Sequence, residues 1–190
     1  SNYGSILKSL KKLQEAELYT RKAIEIRPDF AIAHYNLGNI LKDLGKLQDA
    51  ELSYRKALEI KPDYAEIHNN LGVLLKELGN LQEAELSYRK AIELNPTLFK
   101  SYFLLASVLI KQKKLQEAEQ ALRKTIELNP DFFQAHLKLG AVLKELGQLQ
   151  EAELSCRKAI ELNPDFAEAH SNLGFILTDL GKLKEAELSL

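Results

Sequence analysis

Four histidines and a single cysteine are the residues of this 190-residue chain best suited to metal binding or nucleophilic attack. His34, His68, His136 and His170 stand 34 or 68 residues apart. Residues so separated belong to successive copies of one unit, whereas a zinc site needs its ligands within about 2 Å of one ion. They are therefore expected to pack at a helix pair, one per copy, with Tyr102 filling the phase in between. Cys156 shares the phase of Tyr54 and Tyr88. It reads as a small buried hydrophobe, since a thiol nucleophile needs an adjacent base and the sequence suggests none. No glycine-rich phosphate loop follows a strand pattern. Metal, cofactor and catalytic residues are accordingly not expected, and the chain is not read as an enzyme.

The same spacing orders the side chains suited to recognition. Asn2, Asn36, Asn70 and Asn172 share one phase, with Leu104 and Lys138 at its other two places. Lys8, Lys42, Lys76 and Lys144 share another, with Ile110 and Thr178. Asp43, Glu77, Glu145 and Asp179 each follow directly, so the lysine row is locally balanced. A nucleic-acid groove needs a basic stripe with stacking aromatics, and this pattern argues against one.

These rows rest on a 34-residue repeat. Four complete units span 31–64, 65–98, 99–132 and 133–166, flanked by partial units at 1–30 and 167–190. Within a unit the apolar residues fall at helical steps: Ala33, Leu37, Ile40, Leu41 and Leu44, then Leu47, Ala50, Tyr54, Ala57 and Leu58. Gly45-Lys46 separates the two helices. Pro28, Pro62, Pro96, Pro130 and Pro164 close the second one. Asp63-Tyr-Ala-Glu66 and Asp165-Phe-Ala-Glu168 read as capping boxes opening the next first helix. Small residues recur where helices must approach: Gly4, Gly38, Gly72, Gly140 and Gly174 in one phase, Ala16, Ala50, Ala84, Ala118, Ala152 and Ala186 in another. A Glu51-Arg55-Glu59 ladder marks a solvated face. Leu52, Leu86, Leu154 and Leu188 form a further row, expected to pack between adjacent second helices.

A net charge of −1 gives no drive toward nucleic acid or an anionic membrane. No apolar run reaches the roughly 18 residues of a membrane span, so no membrane insertion is expected. One cysteine permits a reducing, cytoplasmic setting. The absence of methionine suggests an excised piece of a longer protein.

His34, Leu37, Gly38, Leu41, Ala50, Tyr54, Ala57 and Pro62, repeated in phase, resemble the tetratricopeptide repeat along the whole chain. The version here looks like bacterial and cyanobacterial repeats. It is also similar to the array preceding the catalytic domain of O-linked N-acetylglucosamine transferases, a domain these residues lack. The resemblance implies an all-α fold: an α-solenoid of helix-turn-helix units forming a right-handed superhelix, with first helices lining a concave groove that binds peptides. By the same resemblance the asparagine row would hydrogen-bond a peptide backbone, although asparagine could equally be a tolerated surface residue there. A chaperone-type carboxylate clamp is matched at Asn39, Asn70 and Lys100 but not at Tyr35 and Leu104, where cations are missing.

The groove candidates are Tyr35, Asn36 and Asn39 of the second unit and Asn69, Asn70 and Val73 of the third. Lys100, Phe103, Leu104, Ser107 and Ile110 follow in the fourth, then Leu137, Lys138 and Asn172. The fourth unit departs most, with Ala106 and Lys113 for Gly and Thr125 for Ala. Its apolar residues read either as an anchor site for a partner or as side chains leaning on one another. The function expected is a protein–protein interaction scaffold binding a protein or peptide. The alternatives are a substrate-docking region of a larger glycosyl- or sulfotransferase and an oligomerisation module. Uncapped termini would allow end-to-end self-association.

Overall fold

In the computed structural model the backbone is described for residues 2–187 and side chains for residues 10–186. The expectations placed on Asn2, Gly4, Lys8 and Leu188 lie outside the described side chains. Every regular element among the described residues is a helix. The chain divides into two compact units, Ser1–Asn95 and Pro96–Leu190.

The first unit holds α1 (Asn2–Ile26), α2 (Ala31–Asp43), α3 (Leu47–Ile60), α4 (Ala65–Glu77) and α5 (Leu81–Leu94). Each helix packs on the next, most extensively α2 on α3 and α4 on α5. Leu37 and Leu41 of α2 and Ala50, Tyr54 and Ala57 of α3 are buried together in the core. Gly38 lets the pair close: a Cβ there would stand 2.6 Å from the Tyr54 ring, inside any contact a carbon can make. Gly72 stands in the same relation to Tyr88 in α4 and α5, at 2.8 Å.

The first helix of each pair ends in a hydrogen-bonded reversal. Lys46 N–H donates to Leu41 O and Gly45 N–H to Lys42 O, at 2.8 and 2.9 Å, with Gly45 at φ +75°. This left-handed closure satisfies carbonyls that the helix end would leave bare. Second helices end for a different reason. Lys61 and Asn95 precede proline and are extended, at φ −135° and −143°, as the proline ring requires.

Two expectations are corrected here. The capping boxes do not form: α4 starts at Ala65, so its N-cap is Tyr64 with no side-chain capping bond, and Asp63 falls one residue too early. Phe166 stands likewise before α10 (Ala167–Asp179), ahead of which Asp165 is again early. The partial unit 1–30 also lacks its helix break, because α1 runs unbroken to Ile26. Lys11 stands there in the phase of Gly45, and a left-handed turn costs a residue with a Cβ about 1 kcal/mol.

The second unit holds α6 (Phe99–Lys111), α7 (Leu115–Leu128), α8 (Phe133–Glu145), α9 (Leu149–Leu162), α10 and α11 (Leu183–Glu187), again packed in sequence. The phase of Gly38 and Tyr54 holds Ala106 and Leu122, both fully buried, so a larger first-helix residue accompanies a slimmer partner. Thr125 replaces a core alanine, and its buried hydroxyl donates to Ala121 O at 2.9 Å. Gly140 meets Cys156, whose sulfur would lie 2.5 Å from an added Cβ.

Lys113 makes the turn that glycine makes elsewhere. It adopts φ 61°, the only positive φ at a non-glycine among the described residues, and donates to Ile110 O at 3.0 Å. Lys113→Gly should therefore raise stability by about 1 kcal/mol. A urea titration followed by circular dichroism would show a higher midpoint, and an unchanged or lower one would count against the strain.

Candidate functional site

The first helices carry the groove candidates, and in the first unit the structure links several of them. Tyr54, rooted in α3, reaches under α2, and its hydroxyl donates to Asn39 Oδ1 at 2.7 Å. Asn70 Nδ2 of α4 donates to the same oxygen at 3.2 Å and to Tyr35 Oη at 2.9 Å. Burial pushes the Tyr54 phenol far above its ordinary pKa, so it remains a donor at any physiological pH. The Tyr35 ring is held between Tyr54 and Tyr64, 6.1 and 6.2 Å from their centroids. Asn39 Nδ2 and Asn70 Oδ1 take no part in this network. Asn36 is exposed, while Asn69 and Val73 are half-buried.

One repeat along, the same construction loses its partner. Val73 occupies the phase of Asn39, and the Tyr88 hydroxyl is buried without a hydrogen bond. An orphaned buried hydroxyl costs free energy that a ring without it would not.

In the second unit Phe103 packs edge-on against Phe132 at 4.9 Å, and Phe132 against Phe99 at 5.4 Å. Lys138 Nζ lies 5.6 Å from the Phe103 ring centre and Lys100 Nζ 6.0 Å from that of Phe99. Phe99, Phe103 and Phe132 thus lean on one another. Leu104, Ile110 and Asn172 are half-buried, and Ser107 turns its hydroxyl back onto Phe103 O at 3.0 Å. Leu137 is a correction: at 5% exposure it belongs to the core with Ala159 and Ala169, because its side of α8 faces the following helices.

Phe175 is the residue that sequence reasoning passed over. It occupies the phase of Asn39 in α10, is 54% exposed, and has Lys144 Nζ 5.2 Å from its ring centre. An aromatic in a groove phase was the available signal.

Each histidine is spent locally. His34, His68, His136 and His170 place Nε2 at 2.8 Å from the carbonyl of Pro28, Pro62, Pro130 and Pro164, pinning the turn that precedes their own helix. Among the described residues no cluster of three or more His, Cys, Asp or Glu is placed to hold a metal. Cys156 is fully buried, and burial pushes its thiol up to about 11.

A family model described as TPR repeat matches residues 4–45, 38–79 and 106–147. The chain belongs to the tetratricopeptide repeat family. Further tetratricopeptide repeat models match 65–98 and 133–166, and 87–120 and 155–187. Among solved TPR structures it is similar to YrrB, described as a TPR protein with an unusual peptide-binding site. That match has a TM-score of 0.81 and 26% identity over 90% of this chain and 88% of YrrB. A MamA protein matches with a TM-score of 0.80 and 26% identity over 84% of this chain and 87% of its own. Pseudomonas aeruginosa pilF shares the fold at a TM-score of 0.81 and 22% identity, over 98% and 84% of the two chains. No curated protein matches the chain in sequence.

Two outcomes follow from these side chains. Tyr54→Phe should cost about 1 kcal/mol by removing the bond to Asn39, whereas Tyr88→Phe should be neutral or stabilising. Paired denaturation curves would decide it, and equal losses would refute the difference. For Cys156, an unfolded thiol ionises near 9.0 and the folded one near 11. Folding therefore keeps the thiol inert to iodoacetamide at pH 8, and this contribution to stability disappears as pH rises from about 9 to 11. Rapid alkylation of the native protein would contradict it.

Proposed function

We propose that this chain is a protein-interaction scaffold that holds an extended peptide against the first helices, without acting chemically on it. The observation that carries the reading is the Tyr35–Asn39–Asn70–Tyr54 network. It fixes two amides from adjacent repeats while leaving Asn39 Nδ2 and Asn70 Oδ1 free of it. A donor and an acceptor held in place suit a strand-like ligand, whose backbone offers both a carbonyl and an N–H. Because the side chains are already ordered, binding would forgo part of its usual entropic cost.

Asn36 and Asn69 extend this polar stretch in the first unit. In the second, Phe103, Leu104 and Ile110 offer apolar contact, and Lys100, Lys138 and Asn172 polar contact. Lys42 and Lys76 are each followed by an acid, Asp43 and Glu77, which supports a protein ligand over a nucleic acid. Among the described residues no helix is long and apolar enough to cross a membrane. The resemblance to YrrB supports the reading by analogy alone.

A peptide-display selection on the immobilised chain should yield ligands that depend on the two amides. Asn39→Val/Asn70→Leu is the informative variant, since the fold already carries Val73 and Leu104 in those phases. It should still fold, at a cost of about 1–3 kcal/mol for the Tyr54 hydroxyl left without an acceptor, and bind the selected peptides at least about tenfold more weakly. Undiminished binding by the folded variant would overturn the proposal.

A further inference from the structure

The second helices carry a surface that the groove does not use. Leu52 and Leu86 were expected to pack between adjacent second helices, yet they are 67% and 66% exposed. Leu18 shares their phase at 52%, and in the second unit Leu154 stands out at 67%. A lone exposed leucine needs no explanation. Recurrence in one phase, among residues that are otherwise charged, is a different observation.

Leu52, Leu86 and Leu154 each also border a cavity of similar make-up. Leu52 edges one of about 330 Å³ with His34 and Leu37 in its wall. Leu86 edges one of about 570 Å³ with His68 and Leu71, and Leu154 one of about 450 Å³ with His136 and Leu139. Volumes of this order accept a side chain. The surface therefore alternates an apolar knob with a partly apolar notch, and both recur with the same 34-residue step.

The arginines beside them are already paired. Arg55 pairs with Glu51 at 2.8 Å and also with Glu83 of the next second helix, rather than forming the Arg55–Glu59 rung of the expected ladder. Glu59 pairs instead with Lys56, and Lys90 with Glu93, each at 2.7 Å. Arg123 and Arg157 repeat the same double pairing in the second unit. A partner of either net charge gains little here by Coulomb attraction. What remains to gain is burial of the leucines.

We propose that the second-helix side of the first unit, bearing Leu18, Leu52 and Leu86, associates with the same side of a second copy of this chain. The partner must offer apolar knobs at the repeat spacing, notches in matching register and no excess charge, and this face has all three properties. A two-fold pairing sets one patch against itself, so any register that seats one knob seats its neighbours. The contact is lateral and separate from the groove, so loss of peptide binding would leave it standing.

Sedimentation equilibrium of the whole chain across the micromolar range tests it. The wild type should dimerise, and the dimer should persist in high salt because its contact is apolar. Leu52→Glu/Leu86→Glu should keep the wild-type helical signal, both residues being exposed, and weaken dimerisation at least about a hundredfold, as loss of central contact residues does. A wild type that stays monomeric throughout, or a dimer that the double substitution leaves intact, would overturn the proposal.

Discussion

The close approach of the two helices in each repeat governs everything else in this molecule. In the first unit it is made by laying a large second-helix side chain over a first-helix position that has no room for a Cβ. Tyr54 covers Gly38 and Tyr88 covers Gly72 so tightly that even a methyl group would have to displace the ring. Interiors packed to crystal-like density tolerate little change of volume, so a substitution on one side demands another on its partner. Ala106 with Leu122 shows that exchange accomplished.

This constraint also sets where polar chemistry can stand. A tyrosine laid flat across the first helix brings its hydroxyl out near the groove side, where it must find an acceptor. Asn39 supplies one, and in doing so becomes fixed relative to Asn70 and Tyr35. The packing demand and the proposed recognition surface are thus the same arrangement seen from two sides. At Val73 the packing is kept and the polar partner is lost, which leaves the Tyr88 hydroxyl alone.

Much of the fold could be read from the chain because repetition multiplies weak signals. One Leu-Gly pair means little, whereas the same pair with alanine and proline in phase fixes helix, turn and helix. The four histidines were legible in the same way, although their proline carbonyl partners were not. The errors have physical causes. Asp63 resembles a cap only if the helix starts one residue early, and the aromatic Tyr64 takes that place. Leu137 was misplaced because its repeat phase gives a side of one helix but not which neighbours lie beside it. The same ignorance of neighbours put Leu52 between helices when it faces solvent. The Tyr54–Asn39 bond, 15 residues apart and on different helices, needed the crossing geometry that only coordinates supply.

The fourth unit changes most in meaning. Its departures from the repeat pointed to a binding site, yet most of them answer one another inside the fold. Ala106 goes with Leu122, Thr125 bonds its own helix, and Phe103 rests on Phe132 under Lys138. Departure from a consensus therefore marks first a place where packing was re-solved, and by itself it does not single out a partner site. Unmet capacity appears instead in the units that follow the repeat most closely, although Asn39 itself stands in a phase held elsewhere by Val73 and Phe175. The amides of Asn39 and Asn70 are fixed on one side and unused on the other, and Leu52 and Leu86 are repeated faithfully but left in solvent. In a repeat protein the fold consumes most side chains identically in every unit, so what a regular unit leaves unconsumed is the better guide to what the surface is for.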